Sequence, residues 1–339
     1  MKLQKDKLDT IIFDMDGVIT SELGYWKAAA LTVYELMYDY RYYGKQDIDR
    51  AWCQKHVDLI YDTVFHGGKT VTAVKNLGVN TNWDLAYVVF CVAKYLDPTV
   101  ETFDKAYYES VCMFIESMEV HPPEIYVGLE GLLATVVPRE VGYFKRGEGV
   151  LWQQLLDSFQ HWYHGDEDVP GMKELEEPLL PLEEIKDTLG ALKEAGFRLG
   201  IGTGRPRDEI AHPLQRWGLD SYFVPELCAT YDEVLGAQES VKVDYPLAKP
   251  HPFVFLKAAF GTEFSDKELC EAKVKKETAS HCLVVGDAAS DMLAAQAAGF
   301  PFLAVLTGSA GQRGRQYFEE NQADIILDTV LDMKEWIKS

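Results

Sequence analysis

No stretch of this 339-residue chain approaches the roughly 20 consecutive apolar residues of a membrane-spanning helix, so a bilayer-embedded protein is not expected. Positive charge is scarce: 33 Lys and Arg stand against 54 Asp and Glu, a formal net charge of -21. Such a field repels nucleic acid and anionic membrane surfaces, and neither is expected as a partner. An anionic substrate would need local cations to overcome it. The cysteines, at 53, 91, 112, 228, 270 and 282, form no CxxC pair and no zinc-like spacing. Reduced, packing thiols are expected, and none sits in a glycine-rich or basic context that favours a thiolate nucleophile. Lys2, Lys5 and Lys7 precede only a strand-length apolar run, so the N-terminus lacks the apolar middle of a signal peptide and a cytoplasmic location is expected. Repeats and low-complexity tracts are missing too.

Against that background one stretch stands out, Thr10-Ile11-Ile12-Phe13-Asp14-Met15-Asp16-Gly17-Val18-Ile19-Thr20. Its β-branched and aromatic half reads as a short buried strand that is cut off by acids and a glycine. Asp14 and Asp16, two apart, project to the same side of extended chain, and Gly17 lets the backbone turn just beyond them. A pair of like charges is thereby forced together, which is costly unless a cation neutralises it or one acid stays protonated.

Behind Thr20 the sequence becomes helical and rich in aromatics. Spacings of three and four place Trp26, Ala30, Val33 and Met37 on one packing face, and further helices are expected over 48–65, 83–94, 100–118 and 150–162. Breaks fall at His66-Gly67-Gly68, Asp97-Pro98, His121-Pro122-Pro123 and Gly147-Glu148-Gly149. The charged stretch 165–177 and the following Pro178-Leu179-Leu180-Pro181 have the composition of a linker. Residues 21–179 are therefore expected to be an inserted helical domain, with 1–20 and 180–339 forming the other. Most of Tyr34, Tyr38, Tyr42, Trp83 and Tyr87 should be core; any left exposed would favour a homodimer contact or a substrate wall.

From 183 onward helix and strand alternate. Strands are expected at 198–202, within 223–230, and at 282–285, 302–306 and 325–327; helices at 183–195, from Pro206 to 217, and at 252–260. The alternation predicts an α/β fold with a doubly wound, mostly parallel sheet covered on both faces, whose function sits at the carboxyl ends of its strands. Polar residues gather at those ends: Asp14 and Asp16, Thr203 and Gly204, and Asp287.

Four short motifs occur in order: Asp14-Met15-Asp16-Gly17-Val18, Thr203, Lys249-Pro250, and Gly286-Asp287-Ala288-Ala289-Ser290-Asp291. In this the chain resembles the haloacid dehalogenase-like hydrolase superfamily, and Phe13 to Ile19 is similar to its β-phosphoglucomutase and phosphoglycolate-phosphatase branch. The resemblance implies a Rossmann-like core with an inserted cap that selects substrate. It also implies that Asp14 is the nucleophile toward phosphorus and Asp16 the general acid and base. Thr203, the Gly204 N–H and Lys249 would hold phosphoryl oxygens. Asp14, Asp287, Asp291 and the backbone carbonyl of Asp16 would hold Mg2+, a hard cation that prefers oxygen donors.

Taken alone, Thr203 reads as a helix cap, Lys249 as a solvated loop lysine, and Asp287 and Asp291 as favourable groups at a helix start. Arg205 has three readings: a phosphate contact, solvent, or an ion pair with Asp208 or Glu209. Lys145 and Arg146 are expected as solvated charges rather than substrate contacts, and the charged insertion 266–277 as an exposed helix without function. The function expected is Mg2+-dependent hydrolysis of a small phosphorylated metabolite. A phosphomutase would use the same residues but return the phosphoryl group to another hydroxyl. A dehalogenase is disfavoured by Asp16 and the acids over 286–291, and a silent phosphometabolite-binding module by the intact acids and Lys249.

Overall fold

The computed structural model describes residues 5–79, 81–272 and 279–338. The chain separates into two compact units, Met1–Ser21 with Glu177–Ser339, and Glu22–Glu176.

In the first unit β1 (Thr10–Phe13), β2 (Arg198–Gly202), β3 (Cys228–Ala229), β4 (Cys282–Gly286), β5 (Phe302–Val305) and β6 (Ile325–Leu327) form one sheet in the order β3-β2-β1-β4-β5-β6. Every pairing is parallel, with Phe13 level with Ile201 on one side and with Val285 on the other. Apart from Thr10 and Arg198 at their starts, the inner strands are apolar because both faces are covered. Ile11, Phe13, Leu199, Ile201, Leu283 and Val285 enter one core, while Ile12, Val284, Phe302 and Ala304 enter the other with Phe253 and Phe255. The chain runs from β1 outward to β3, then returns to the far side of β1 for β4. Strand order thus reverses between β1 and β4, the place where open α/β sheets bind ligands outside their carboxyl ends.

The second unit is helical. Helix Leu23–Tyr38 packs against Val57–Val64, Asn82–Leu96 and Val150–His164. Every residue from Ala28 to Tyr38 is buried, so the helix is enclosed around its whole circumference and not along one stripe; Trp26 stays half-buried. Tyr34, Tyr38 and Tyr87 are core, whereas Tyr42 is half-buried and Trp83 is exposed.

Several helices depart from expectation. The helix expected over 48–65 breaks at His56 into Arg50–Lys55 and Val57–Val64. That expected over 100–118 starts only at Lys105, because the Asp104 carboxylate accepts the Tyr107 N–H and caps it. Helices Lys69–Asn76, Glu124–Val136 and Tyr231–Val241 were not foreseen. Within 266–277 only Asp266–Cys270 is a helix among the described residues, and it buries Leu269 and Cys270; residues 273–278 lie outside the described residues. Among the described residues no helix is long and apolar enough to cross a membrane.

Candidate active site

The ladder of the sheet runs one residue beyond β1, since the Asp14 N–H donates to the Val285 carbonyl at 2.8 Å. This fixes the base of the Asp14 side chain at the reversal point. Met15 then accepts the N–H groups of Val18, Ile19 and Thr20, and the Gly17 N–H donates to Thr20, closing a tight loop that carries Asp16. Gly17 has φ of +76°, a conformation that side chains disfavour, and a Cβ there would overlap the Asp287 carboxylate. A Cβ on Gly308 would overlap it as well. The Thr307 hydroxyl donates to the Gly17 carbonyl at 2.5 Å, so the loop after β5 closes against the loop after β1 with Asp287 lodged between them. Neither Thr307 nor Gly308 was singled out in the sequence; no short motif marks them.

Lys249 is the hub of the acidic side. Its Nζ lies 2.8 Å from Asp14 Oδ1 and 2.9 Å from Asp291 Oδ1. The same ammonium sits 4.6 Å from the centre of the Phe255 ring, a cation–π contact that helps to hold it. Burial works against its charge, yet the two carboxylates outweigh burial and hold its pKa above the ordinary lysine value. It is not a solvated loop lysine. Asp291 Oδ2 accepts the Ala288 N–H at 3.1 Å, so this acid both caps its helix and faces the site.

Burial pushes the Asp14 carboxyl up to about 7; Lys249 opposes the shift, and Asp291 and Asp16 add to it. Asp14, Asp287 and Asp291 each offer an oxygen within 4.8 Å of the others'. With Asp16, four carboxylates crowd around Lys249 and Arg205. A divalent cation would lower the repulsion among these acids, and an all-oxygen donor set suits Mg2+. The residues fit that ion, with Asp14, Asp287 and Asp291 able to ligate it. The Asp16 carboxylate is outside this group, which leaves its backbone carbonyl for the ligand role implied by resemblance.

Arg205 corrects the sequence reading. Its guanidinium is buried rather than solvated, and it forks onto Asp16, Nε at 3.1 and 3.0 Å from the two carboxylate oxygens and Nη2 at 2.5 Å from Oδ1. Thr20 donates its hydroxyl to the same Oδ1 at 2.9 Å. Thr203 is buried behind β2, and its hydroxyl accepts the Arg205 N–H at 3.2 Å. Gly204 is exposed, has no positive φ, and a Cβ there would meet nothing within 4 Å. Its backbone does not need glycine, and the space beside its Cα is open.

Two charges in the helical unit are placed differently from expectation. Lys145 pairs with Glu148 at the surface, as a solvated pair would. Arg146 instead clamps the buried Asp84 through Nε and Nη2 at 2.7 and 2.8 Å, and it is packed over the Tyr126 and Trp152 rings.

Comparison with known proteins agrees with the family resemblance. A pyrophosphatase PpaX of Bacillus cereus (strain G9842) is 27% identical over 223 residues, 66% of this chain and 86% of the relative. A crystal structure of a Northeast Structural Genomics Consortium target superposes with a TM-score of 0.81 at 27% identity, covering 98% of both chains. The family model described as haloacid dehalogenase-like hydrolase matches residues 8–299. The chain therefore belongs to the haloacid dehalogenase-like hydrolase family.

Proposed function

We propose that the protein is a Mg2+-dependent phosphatase that hydrolyses a small phosphomonoester through an aspartyl-phosphate. The observation that carries this reading is the buried Asp14 carboxylate at the reversal point of the sheet, 2.8 Å from Lys249 and grouped with Asp287 and Asp291. An Asp14 oxygen attacks phosphorus; the bond to the ester oxygen breaks, and that oxygen leaves with the bonding electrons and a proton from Asp16. Water then attacks phosphorus, giving its proton to Asp16, and the bond from Asp14 to phosphorus breaks to release phosphate. Lys249, the Thr203 hydroxyl and the Gly204 N–H stabilise the phosphoryl oxygens. Held by Asp14, Asp287 and Asp291, Mg2+ would supply positive charge that lets an ionised Asp14 approach an anionic substrate.

The helical unit is proposed as the selector of substrate, with a small phosphorylated metabolite as partner and the cytoplasm as location. A homodimer contact through exposed aromatics of that unit, Trp83 among them, belongs to the same proposal. Relatives named pyrophosphatase favour one specific second reading, inorganic pyrophosphate as the substrate. A panel of phosphorylated metabolites and pyrophosphate, assayed with and without Mg2+, tests both readings. Metal-dependent release of phosphate supports hydrolysis and ranks the two substrate classes. Isomerised product without phosphate release would replace the phosphatase by a mutase, and silence across the panel would remove the enzymatic reading.

A further inference from the structure

We propose that Arg205 is a positioning residue for Asp16 and ties the orientation of that acid to the segment where the chain leaves the α/β unit. This inference rests on Asp16 acting as the proton donor and acceptor of the proposed phosphatase.

The placement is costly, which asks for a reason. An arginine keeps its charge under all ordinary conditions, and burying one is tolerated only against an acid with well-formed hydrogen bonds. Arg205 is 3% exposed, and it pairs with Asp16, 189 residues earlier. The backbone around it is pinned on both sides: its N–H donates to the Thr203 hydroxyl at 3.2 Å, and its carbonyl accepts the Tyr231 N–H at 2.9 Å. A fork anchored this way sets where the Asp16 carboxylate lies, because two donors from one rigid plane fix an angle as well as a distance.

The same guanidinium reaches the exit of the unit. Nη2 also contacts the Ser21 carbonyl at 3.4 Å, and Ser21 is the last residue before the helical unit begins. Thr20, which holds Asp16 Oδ1, forms a bridge with Pro178, and the Leu179 N–H donates to Ile19 at 3.0 Å. Both passages of the chain between the units are thus paired beside Asp16. Any shift of Thr20 or Ser21 alters the hydrogen bonds that orient the acid. With Nε and Nη2 engaged by Asp16 and Ser21, Arg205 is a poor candidate for the phosphate contact that its place after Gly204 suggests.

A leaving-group comparison separates positioning of an acid from binding of phosphate. An alkoxide leaves only with a proton, whereas p-nitrophenolate needs little help, so a misplaced Asp16 should harm the first reaction selectively. We would assay wild type, R205K and R205M with glycerol phosphate and p-nitrophenyl phosphate at saturating Mg2+. The expected result for R205M is a loss in kcat on the order of 100-fold for glycerol phosphate, a much smaller loss for p-nitrophenyl phosphate, and KM nearly unchanged. R205K, which keeps the charge but not the fork, should fall between. Equal losses on both esters, no loss, or a raised KM at constant kcat would overturn the inference, the last by showing that Arg205 holds phosphate directly. Should the Arg205 variants not fold, Thr20→Val removes one bond to Asp16 Oδ1 in an isosteric way and must show the same selectivity for the poor leaving group. A wild type silent toward both esters would overturn the phosphatase reading itself, an outcome distinct from an active wild type with indifferent variants.

Discussion

Both units bury charge, and they do so to opposite ends. In the helical unit the buried acids Glu35, Asp39 and Asp84 each meet an arginine of the same unit. Glu35 accepts from Ser158 at 2.5 Å, Trp162 Nε1 at 3.0 Å and Arg41 at 2.9 Å, while Asp39 pairs with the same arginine. Asp84 is closed off by the Arg146 fork and by the Thr81 hydroxyl at 2.8 Å. In the α/β unit Asp14, Asp16, Asp287 and Asp291 crowd around Lys249 and Arg205. A satisfied buried pair can serve packing alone; an unsatisfied surplus of one sign weakens the fold and calls for something that arrives later. The imbalance, more than burial or conspicuous residues, separates site from scaffold.

The largest expected effects come from removing the surplus. Asp14→Asn and Asp16→Asn should each lower turnover by about 10,000-fold or more, because each keeps size but deletes a group that the reaction uses as a unit. Thermal stability of the metal-free Asp14→Asn protein should change little, since Lys249 keeps Asp291 as its partner. Phosphate release and calorimetry check the two halves. Mass mapping of a trapped phosphoryl group to any residue other than Asp14 would end the proposed mechanism.

Metal removal should come next. In the metal-free protein Asp14 has its pKa raised from 3.8 to about 7, chiefly by burial. Between those values the folded chain binds more protons than the unfolded one, so stability is greatest below the lower value and declines as pH rises through the upper. Mg2+ competes with that proton. Its stabilising effect should therefore grow as pH rises through about 7, reaching about 2.7 kcal/mol when free Mg2+ is 100 times its dissociation constant. Melting curves across pH with Mg2+ and with chelator read this directly. Asp287→Asn should flatten the response to Mg2+ while the metal-free pH trend persists. A response to Mg2+ that is independent of pH would mean that the ion does not meet Asp14.

The helical unit should show the reverse pattern. Arg146→Met leaves Asp84 buried without its charged partner, and it should cost about 1–3 kcal/mol, the cost of a buried acceptor left short of partners. Arg146 is 40% exposed, and solvent screening keeps the loss below that of a fully buried pair. Denaturant melts measure it. Turnover of p-nitrophenyl phosphate by the folded variant should be unchanged; a large loss would mean that this pair belongs to the site after all.

How much of this was legible follows from the range of the interactions. β1 and β4 were readable because buried strands need continuous apolar runs, and the acids that end them because parallel sheets put function there. The Arg205–Asp16 pair was not legible because a linear reading looks for partners within one or two turns, and Asp16 lies on another strand's loop. Arg146 failed in the same way, since Asp84 lies 62 residues before it. Helix Glu124–Val136 was hidden behind Pro122-Pro123, taken as a break and not as an entry. Thr307 and Gly308 carried no local signal, for their importance is the room that they leave for Asp287.

The smallest effect, and the finest test of the contrast, lies at Gly204. Elsewhere in this loop system glycine is imposed by the fold: Gly17 has positive φ and no room for a side chain. Gly204 has neither constraint, being exposed with nothing within 4 Å of an added Cβ. Gly204→Ala should therefore leave stability within about 0.5 kcal/mol of wild type, as for a surface change that disturbs no cap or contact. If the open space belongs to a phosphoryl group bonded to the Gly204 N–H, the methyl group should crowd that group. KM for a phosphate ester and inhibition by inorganic phosphate should then weaken together, about 3- to 10-fold, roughly 0.7–1.4 kcal/mol. Steady-state kinetics with inorganic phosphate as the competitor measures both. A variant of wild-type stability whose KM and phosphate inhibition are unaltered would place the phosphoryl group away from Gly204 and leave Thr203 and Lys249 as its remaining proposed ligands.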